Sequence, residues 1–243
     1  MRRATMLLAL ISAACVGSGS NEERSGAPIQ TSESFERDVV VRVKLRYLLA
    51  LPEGYGDRAR RSERWPLVLF LHGLGECGED LELVKRHGPP KLVAEGKKLP
   101  CIVVSPQCPQ PGWSPMVLHA LVDELTEKLR VDESRLYLTG LSMGGFGVWT
   151  TAVERPERFA ALVPICGGGD PIAVRRLKDV PVWLFHGRLD PLVPVAKSEE
   201  LVRALESAGG HSKLTIYDDL GHDCWTRAYD DPELWTWLFS QRR

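Results

Sequence analysis

A serine stands among glycines in residues 140–145, which read Gly-Leu-Ser-Met-Gly-Gly. The motif follows a short apolar run at 136–138 and precedes a helical pattern at 146–155, so it lies where a strand turns into a helix. Small residues on both sides permit so tight a turn, which projects the serine hydroxyl over the end of the sheet. The pattern therefore predicts a nucleophile elbow with Ser142 as the nucleophile.

A serine hydroxyl is a weak nucleophile at neutral pH and needs a general base, which a carboxylate must in turn orient. Asp190 and His222 supply these groups further along the chain, each in a polar segment that follows an apolar run. Such segments form loops at the ends of strands, where the nucleophile is also expected. We therefore predict a catalytic triad of Ser142, Asp190 and His222.

Other acidic and histidine side chains compete for these roles. Asp170 is the main alternative for the acid, because three preceding glycines can place it at the end of a strand. The remaining loop carboxylates near the histidine are interpreted as solvated side chains: Asp218, Asp219 and Asp223. His72 and His186 each come one residue after an apolar run and before a glycine, so we expect them to hydrogen-bond the loops that shape the site. The other histidines are interpreted as surface or helix residues: His87, His119 and His211.

Acyl transfer also requires backbone N–H groups that stabilise the oxyanion of the tetrahedral intermediate. The amide of Met143, directly after the nucleophile, is the expected first donor. The second is expected from the glycine-containing loop at 72–76, and we assign it to Leu74. Glu76 in the same loop has two interpretations: it orients the loop or meets a polar group of the substrate, or it is an ordinary capping or surface carboxylate.

Short continuous apolar runs recur along the chain, as in strands that are buried on both faces of a parallel sheet: 67–71, 102–104, 136–138, 160–165 and 182–185. The segment 39–49 alternates instead, which predicts an antiparallel edge strand. Amphipathic helices are predicted at 115–129, behind Ser114 as the N-cap, and at about 195–208. The alternation predicts an α/β fold, with a mostly parallel sheet covered by helices on both faces and a site at the carboxyl ends of the strands.

Five segments carry a family resemblance: LHGLGECGED at 71–80, SPQCPQPGW at 105–113, TGLSMGGFGVW at 139–149, FHGRLDPLVP at 185–194 and GHDCW at 221–225. Together they resemble serine esterases of the α/β-hydrolase superfamily, in the phospholipase/carboxylesterase, dienelactone-hydrolase-like and secreted bacterial "predicted peptidase" or feruloyl-esterase-like groups. The order Ser, Asp, His is also that of this fold. The resemblance covers about residues 36–240 and implies cleavage of carboxylic esters through an acyl-enzyme. Ser142 departs from the dienelactone hydrolases proper, whose nucleophile is Cys.

The predicted strand ending near Ile165 and the next apolar run are separated by only residues 166–181, which leaves no room for the cap domain that lidded relatives insert there. We therefore expect an open site that accepts an ester on a small molecule or one displayed on a polymer, such as an acyl group on a polysaccharide. Trp113 and Trp225 lie on loops near this site and are predicted to contact the substrate. The alternative for each tryptophan is ordinary packing.

The first residues have the pattern of a secretory signal peptide, because Arg2 and Arg3 precede an apolar run at 4–14. The run is too short to span a bilayer of about 30 Å, so no transmembrane segment is expected. The alternative is a plain N-terminal helix. We predict a signal peptide at 1–14, a flexible linker at 15–32 and a single catalytic domain at 33–243, exported to the periplasm or the cell exterior.

Residues 12–15 read Ser-Ala-Ala-Cys and resemble the lipobox of bacterial lipoproteins, except that Ser12 stands where Leu or Val is usual. Both outcomes stay open at this point, with and without a lipid anchor at Cys15. The other five cysteines are an odd number, so at least one of them is unpaired, and their spacing does not indicate a pairing.

The composition narrows the classes of partner. The chain has 31 Lys and Arg against 32 Asp and Glu, so it lacks the positive charge that nucleic acids or anionic membranes attract. Neither a CxxC motif nor a Cys/His spacing indicates a zinc site, and we predict no metal and no cofactor. Two other functions are kept as alternatives: a peptidase like the prolyl oligopeptidase catalytic domain, and a non-catalytic glycan-binding protein on the same fold.

Overall fold

The computed structural model describes residues 31–243. The predictions of a signal peptide at 1–14 and of a lipid on Cys15 fall outside the described residues, as does most of the linker. Residues 31–41 contain no helix or strand, and residues 42–243 form one compact unit. No helix of the described residues is long and apolar enough to span a bilayer.

Seven strands form one sheet: β1 (Arg46–Ala50), β2 (Trp65–Leu71), β3 (Ile102–Gln107), β4 (Val131–Leu141), β5 (Ala161–Ile165), β6 (Val182–Gly187) and β7 (Ser212–Tyr217). Their order across the sheet is β1-β3-β2-β4-β5-β6-β7. β1 is antiparallel to β3, and every other neighbouring pair is parallel. The predicted mostly parallel sheet with an antiparallel edge strand is confirmed.

The edge strand is shorter than the alternating pattern predicts. The pattern covers 39–49, whereas β1 begins at Arg46, which pairs with Gln107 at the end of β3. The chain then reaches Pro109, which has no N–H to offer a neighbouring strand. A strand can extend only as far as its partner, so residues 39–45 form no ladder in spite of their alternation.

Six helices accompany the sheet: α1 (Gly88–Ala94), α2 (Pro115–Lys128), α3 (Met143–Glu154), α4 (Ala196–Ser207), α5 (Trp225–Asp230) and α6 (Pro232–Ser240). The buried side chains of β2 show how they divide between its faces. Leu67, Leu69 and Leu71 belong to the core shared with α2, α3 and α4, while Val68 and Phe70 belong to the core shared with α1, α5 and α6. Helices therefore cover both faces, as predicted for an α/β sheet.

The helices predicted at 115–129 and 195–208 are found within one residue of the predicted bounds. Ser114 occupies the N-cap position of α2, but its side chain makes no capping hydrogen bond, and only its carbonyl accepts one, from Leu118 N at 3.1 Å. The helix predicted at 146–155 begins earlier, at Met143, because the glycines of the motif let it start directly after Ser142.

The connection between β5 and β6 holds a short 3₁₀ turn at Ala173–Leu177 and no inserted domain. This agrees with the prediction that the fold has no cap. The carboxyl ends of β2, β4, β5, β6 and β7 thus meet at one edge of the sheet, where the loops after them carry the candidate site.

Candidate active site

Ser142 forms the single-residue turn between β4 and α3. Its φ of 52° and ψ of −117° lie in a region that residues other than glycine rarely adopt. The turn is held by two backbone hydrogen bonds, from Ser142 N to Ile165 O at 2.9 Å and from Phe146 N to Ser142 O at 3.1 Å. Strain of this kind persists only where the surroundings enforce it, and it is typical of functional sites. The backbone geometry of the predicted elbow is therefore present, and the role of Ser142 as the nucleophile stays a prediction.

The glycines of the motif are required by the close approach of α3 to β2. A Cβ on Gly144 would lie 1.9 Å from Leu71 O, and one on Gly140 would lie 2.5 Å from Gly144 O. These are contacts with backbone atoms, which cannot move aside without shifting a strand or a helix. Small residues at these two positions allow the first turn of α3 to pass directly over the strand, and this places Ser142 at the edge of the sheet.

The three predicted triad residues come together. His222 Nε2 lies 2.9 Å from Ser142 Oγ, and His222 Nδ1 lies 2.7 Å from Asp190 Oδ2. The Asp190 side chain is fully buried and the His222 side chain is 16% exposed, so these hydrogen bonds lead from the protein interior towards the surface. His222 comes 32 residues after Asp190 and 80 residues after Ser142, and the three side chains form one continuous hydrogen-bonded network.

The other oxygen of Asp190 is fixed by the backbone. Oδ1 accepts hydrogen bonds from Leu192 N at 2.8 Å and Val193 N at 2.9 Å. Burial by itself would raise the pKa of Asp190, but the hydrogen bonds from His222 and from these two amides outweigh it and lower the pKa. The carboxylate is therefore held ionised and in one orientation, as the group that orients the base must be.

His72 and His186 hydrogen-bond the site loops, as the sequence predicts. His72 Nδ1 lies 2.6 Å from Gly73 O, and its Nε2 accepts a hydrogen bond from Cys108 N at 2.9 Å. His186 Nε2 lies 2.8 Å from Val193 O, and its Nδ1 lies 2.7 Å from the Ser198 hydroxyl. Burial lowers the pKa of both histidines, so each stays neutral and fixes a loop.

The competing carboxylates lie outside the triad. Asp170 is exposed, and its side chain accepts a hydrogen bond from Ile172 N at 2.8 Å. Asp218 and Asp219 are exposed and form ion pairs with nearby arginines. Asp223 is exposed and accepts from the hydroxyl of Thr226 at 3.0 Å. The structure thus brings Asp190, and none of these four, to His222.

The two predicted oxyanion donors begin structural elements. Met143 is the first residue of α3, so its amide has no acceptor within the helix. Leu74 is the first residue of a 3₁₀ turn at Leu74–Glu76, directly after Gly73. A Cβ built on Gly73 would lie 3.7 Å from Ser142 Cβ, which places this loop against Ser142. The assignment of Leu74 and Met143 as oxyanion donors stays a prediction.

The two predicted substrate-binding tryptophans have different surroundings. Trp113 is half-buried, donates from Nε1 to His72 O at 3.2 Å and packs edge-on against the His72 ring. Trp225 is 9% exposed and packs perpendicular to the His222 ring, with 5.3 Å between the ring centroids. Both tryptophans therefore also support histidines of the site, and a substrate contact for either stays a prediction.

Glu76 and His87 are the residues near the site that the sequence places least well. Glu76 is buried, and Oε1 of its side chain lies 3.8 Å from His87 Nε2. The His87 ring packs on Trp225 with 5.3 Å between centroids, so His87 is a neighbour of the site and not simply a surface residue. No periodic pattern in the sequence relates His87 to Trp225, which lie far apart along the chain. The only signal for Glu76 is its position in the loop after β2.

Cys166, the residue after β5, lies beside the triad and is a potential metal ligand. Its sulfur, an Asp190 oxygen and a His222 nitrogen lie within 4.8 Å of one another. In this group Asp190 and His222 already bind each other, and burial raises the pKa of Cys166 and keeps its sulfur a thiol, which is a poor ligand. We therefore assign the group to the triad. All five described cysteines are free thiols.

Comparisons with known proteins agree with this geometry. The family model described as Phospholipase/Carboxylesterase matches residues 114–231. The Nocardia uniformis subsp. tsuyamanensis protein NocK, which has a provisional esterase name, is 31% identical over 190 residues that cover 69% of this chain and 52% of that protein. An Aspergillus terreus (strain NIH 2624 / FGSC A1156) protein, provisionally named feruloyl esterase C, is 25% identical over 178 residues that cover 68% of this chain and 62% of that protein.

Among solved structures, the crystal structure of a thermostable esterase superposes with a TM-score of 0.71 and 36% sequence identity, covering 83% of this chain and 60% of the other. The chain thus spans between about half and two thirds of the length of these relatives. A strained serine between strand and helix, hydrogen-bonded to a histidine that a buried carboxylate orients, is the arrangement that serine hydrolases use for acyl transfer. Fold, site and similarities together identify the chain as an α/β-hydrolase-fold protein related to esterases.

Proposed function

We propose that this chain is a serine esterase that hydrolyses carboxylic esters through an acyl-enzyme. The observation that carries the proposal is the continuous series of hydrogen bonds from Ser142 Oγ to His222 and on to Asp190. Ser142 lies on a strained turn at the carboxyl edge of the sheet. The esterase names of the relatives and the matching family support the same reaction class.

In the proposed mechanism each group has one role. Ser142 Oγ attacks the ester carbonyl while His222 Nε2 accepts the serine proton, and Asp190 holds the proton on Nδ1 and stabilises the imidazolium that forms. The amides of Met143 and Leu74 donate to the oxyanion. His222 then returns the proton to the departing alcohol, and a water molecule, activated by the same histidine, releases the acid and regenerates Ser142.

The acyl group is proposed to be apolar or aromatic and the site open. Four apolar side chains between 41% and 71% exposed lie in segments that follow the strands of the site: Leu74, Phe146, Leu189 and Leu192. Apolar side chains that are exposed on the loops of a site are available to contact an apolar part of a ligand. The absence of a cap between β5 and β6 supports access by an ester displayed on a polysaccharide. The name of the feruloyl esterase relative is consistent with an aromatic acyl group.

We also propose that the protein is exported. Arg2 and Arg3 precede an apolar run that ends in the small residues Ala13 and Ala14 before Cys15, which is the pattern of a signal peptide. Mass spectrometry of the mature N-terminus from the native host tests this. A chain that begins at or near Cys15, with or without lipid, is expected. A mature chain that retains residues 1–14 would contradict export by this signal.

The activity is tested with p-nitrophenyl acetate, longer p-nitrophenyl esters up to octanoate, and methyl ferulate. The wild-type chain is expected to hydrolyse at least one of them, and Ser142→Ala to lose several orders of magnitude in kcat. Ser114→Ala is the matched control, because Ser114 is exposed on a neighbouring loop and its side chain makes no capping hydrogen bond. Hydrolysis by Ser142→Ala at the rate of the control would refute the proposal.

A further inference from the structure

Glu76 places a carboxylate beside the nucleophile without a donor to bind it. Its side chain is 7% exposed. A Cβ built on Gly73 would lie 3.3 Å from Glu76 Oε2 and 3.7 Å from Ser142 Cβ, so little more than the space of a methyl group separates the carboxylate from the serine. Carboxylates are rarely so buried unless a partner compensates for the loss of water.

The described residues do not supply that partner. The nearest basic nitrogen, His87 Nε2, lies 3.8 Å from Glu76 Oε1, which is too far for a hydrogen bond. The groups that do bind Glu76 use its backbone, since Gln107 Nε2 donates to Glu76 O at 2.9 Å. Within residues 31–243, the carboxylate therefore has unused acceptor capacity close to Ser142.

The Trp225 ring links Glu76's neighbour His87 to the triad. The indole is 9% exposed, and its Nε1 is buried with no hydrogen-bond acceptor among the described residues. The ring lies between two histidines, with centroids 5.3 Å from that of His87 and 5.3 Å from that of His222. Glu76, His87 and Trp225 thus form one wall, which adjoins the triad at Ser142 and at His222.

The mechanism decides which part of an ester this wall meets. His222 must return its proton to the departing oxygen, so the alcohol portion of the ester lies beside the imidazole. Trp225 packs against that same imidazole, and Glu76 lies on the loop that borders the serine. The contact of Trp225 with His222 therefore puts the wall on the side of the alcohol.

We propose that Glu76, His87 and Trp225 form a hydroxyl-binding subsite for the alcohol portion of the substrate, which is then a polyol or a sugar. A hydroxyl near the scissile oxygen donates to the Glu76 carboxylate, and the more exposed His87 ring, whose Nε2 lies 3.8 Å from that carboxylate, offers a second polar atom to the same hydroxyl. The inference rests on the proposed esterase function and adds the residues that bind the hydroxyls of the leaving group.

Glycerol monoacetate and propyl acetate test the subsite, because they share the acyl group and differ in the hydroxyls of the alcohol. The measured quantity is the ratio of their kcat/KM values. Wild type is expected to favour the glycerol ester, and Glu76→Gln to reduce the ratio about tenfold or more, as expected when a hydrogen bond to a charged group is lost. His87→Phe, which keeps the ring contact with Trp225 but removes the ring nitrogens, is expected to reduce the ratio less.

Glu79→Gln is the matched control, because Glu79 is an exposed carboxylate three residues further along the chain, and it should keep the wild-type ratio. A ratio that is unchanged in both Glu76→Gln and His87→Phe would overturn the subsite. An equal loss on both esters would also overturn it, because the carboxylate would then only position the oxyanion loop. Neither result contradicts the esterase proposal, which is tested separately by the loss of p-nitrophenyl ester hydrolysis in Ser142→Ala.

Discussion

Replacing Asp190 by Asn tests whether the buried carboxylate sets the tautomer of the catalytic base. In the wild type, Asp190 Oδ1 accepts from the amides of Leu192 and Val193, and Oδ2 accepts from His222 Nδ1. An asparagine in the same place must direct its carbonyl oxygen to the two amides, since the opposite orientation would leave both of these donors without an acceptor, at about 1–3 kcal/mol each.

That orientation points the NH2 group of the asparagine at His222 Nδ1. The ring nitrogen must then accept, which moves the histidine proton to Nε2, the atom 2.9 Å from Ser142 Oγ. A protonated Nε2 cannot take the serine proton, so the base is lost although its position is kept. The expected fall in kcat is about 10⁴-fold, or about 5 kcal/mol of transition-state stabilisation.

The assay is the initial rate of p-nitrophenyl acetate hydrolysis at neutral pH, with folding checked by circular dichroism. Asp223→Asn is the matched control, because Asp223 is an exposed carboxylate next to His222 that only accepts from Thr226. The control should stay close to wild type. A folded Asp190→Asn enzyme with a rate within tenfold of wild type would refute the reasoning, and so would an equal loss in Asp223→Asn.

Two further predictions concern stability. Gly144→Ala should lower the free energy of unfolding in urea by about 3 kcal/mol or more, because its Cβ would meet Leu71 O at 1.9 Å. Gly75→Ala, whose Cβ meets nothing within 4 Å, should stay within about 0.5 kcal/mol of the wild-type value. Similar unfolding midpoints for the two variants would contradict the close approach of α3 to β2. Burial lowers the pKa of His72 and His186, so the unfolded chain takes up protons at a higher pH than the folded one. Stability from these groups is complete above about pH 6.5 and is lost as the pH falls below it, so the melting temperature should be lower at about pH 5 than at about pH 7.5. Equal melting temperatures at the two pH values would argue against neutral buried histidines.

Much of the fold follows from local patterns. Continuous apolar runs such as Leu67–Leu71 have no polar face, so they must be buried on both sides, and this requires a parallel sheet with helices above and below. The elbow follows in the same way, because a serine with glycines two residues to either side matches the steric demands of a strand-to-helix turn. The order of Asp190 and His222 after these strands then leaves few ways to complete a triad.

Features that depend on a distant partner could not be read from the sequence. The alternation at 39–49 is compatible with a strand throughout, yet the ladder stops at Arg46 because β3 ends opposite it. The contact of His87 with Trp225 joins α5 to the residue before α1, and neither residue lies in a pattern that points to the other. Glu76 is buried 3.8 Å from His87, a contact that its loop position does not indicate, so the sequence left its role open.

Labelling with a fluorophosphonate probe tests the central claim, that Ser142 is an activated nucleophile, most directly. The probe reacts covalently with serines that a general base activates, and tandem mass spectrometry of the digested protein identifies the modified residue. We predict one modified peptide, with the probe on Ser142, and no labelling of Ser142→Ala. Folded wild-type protein that is not labelled, or is labelled at another serine, would contradict the account.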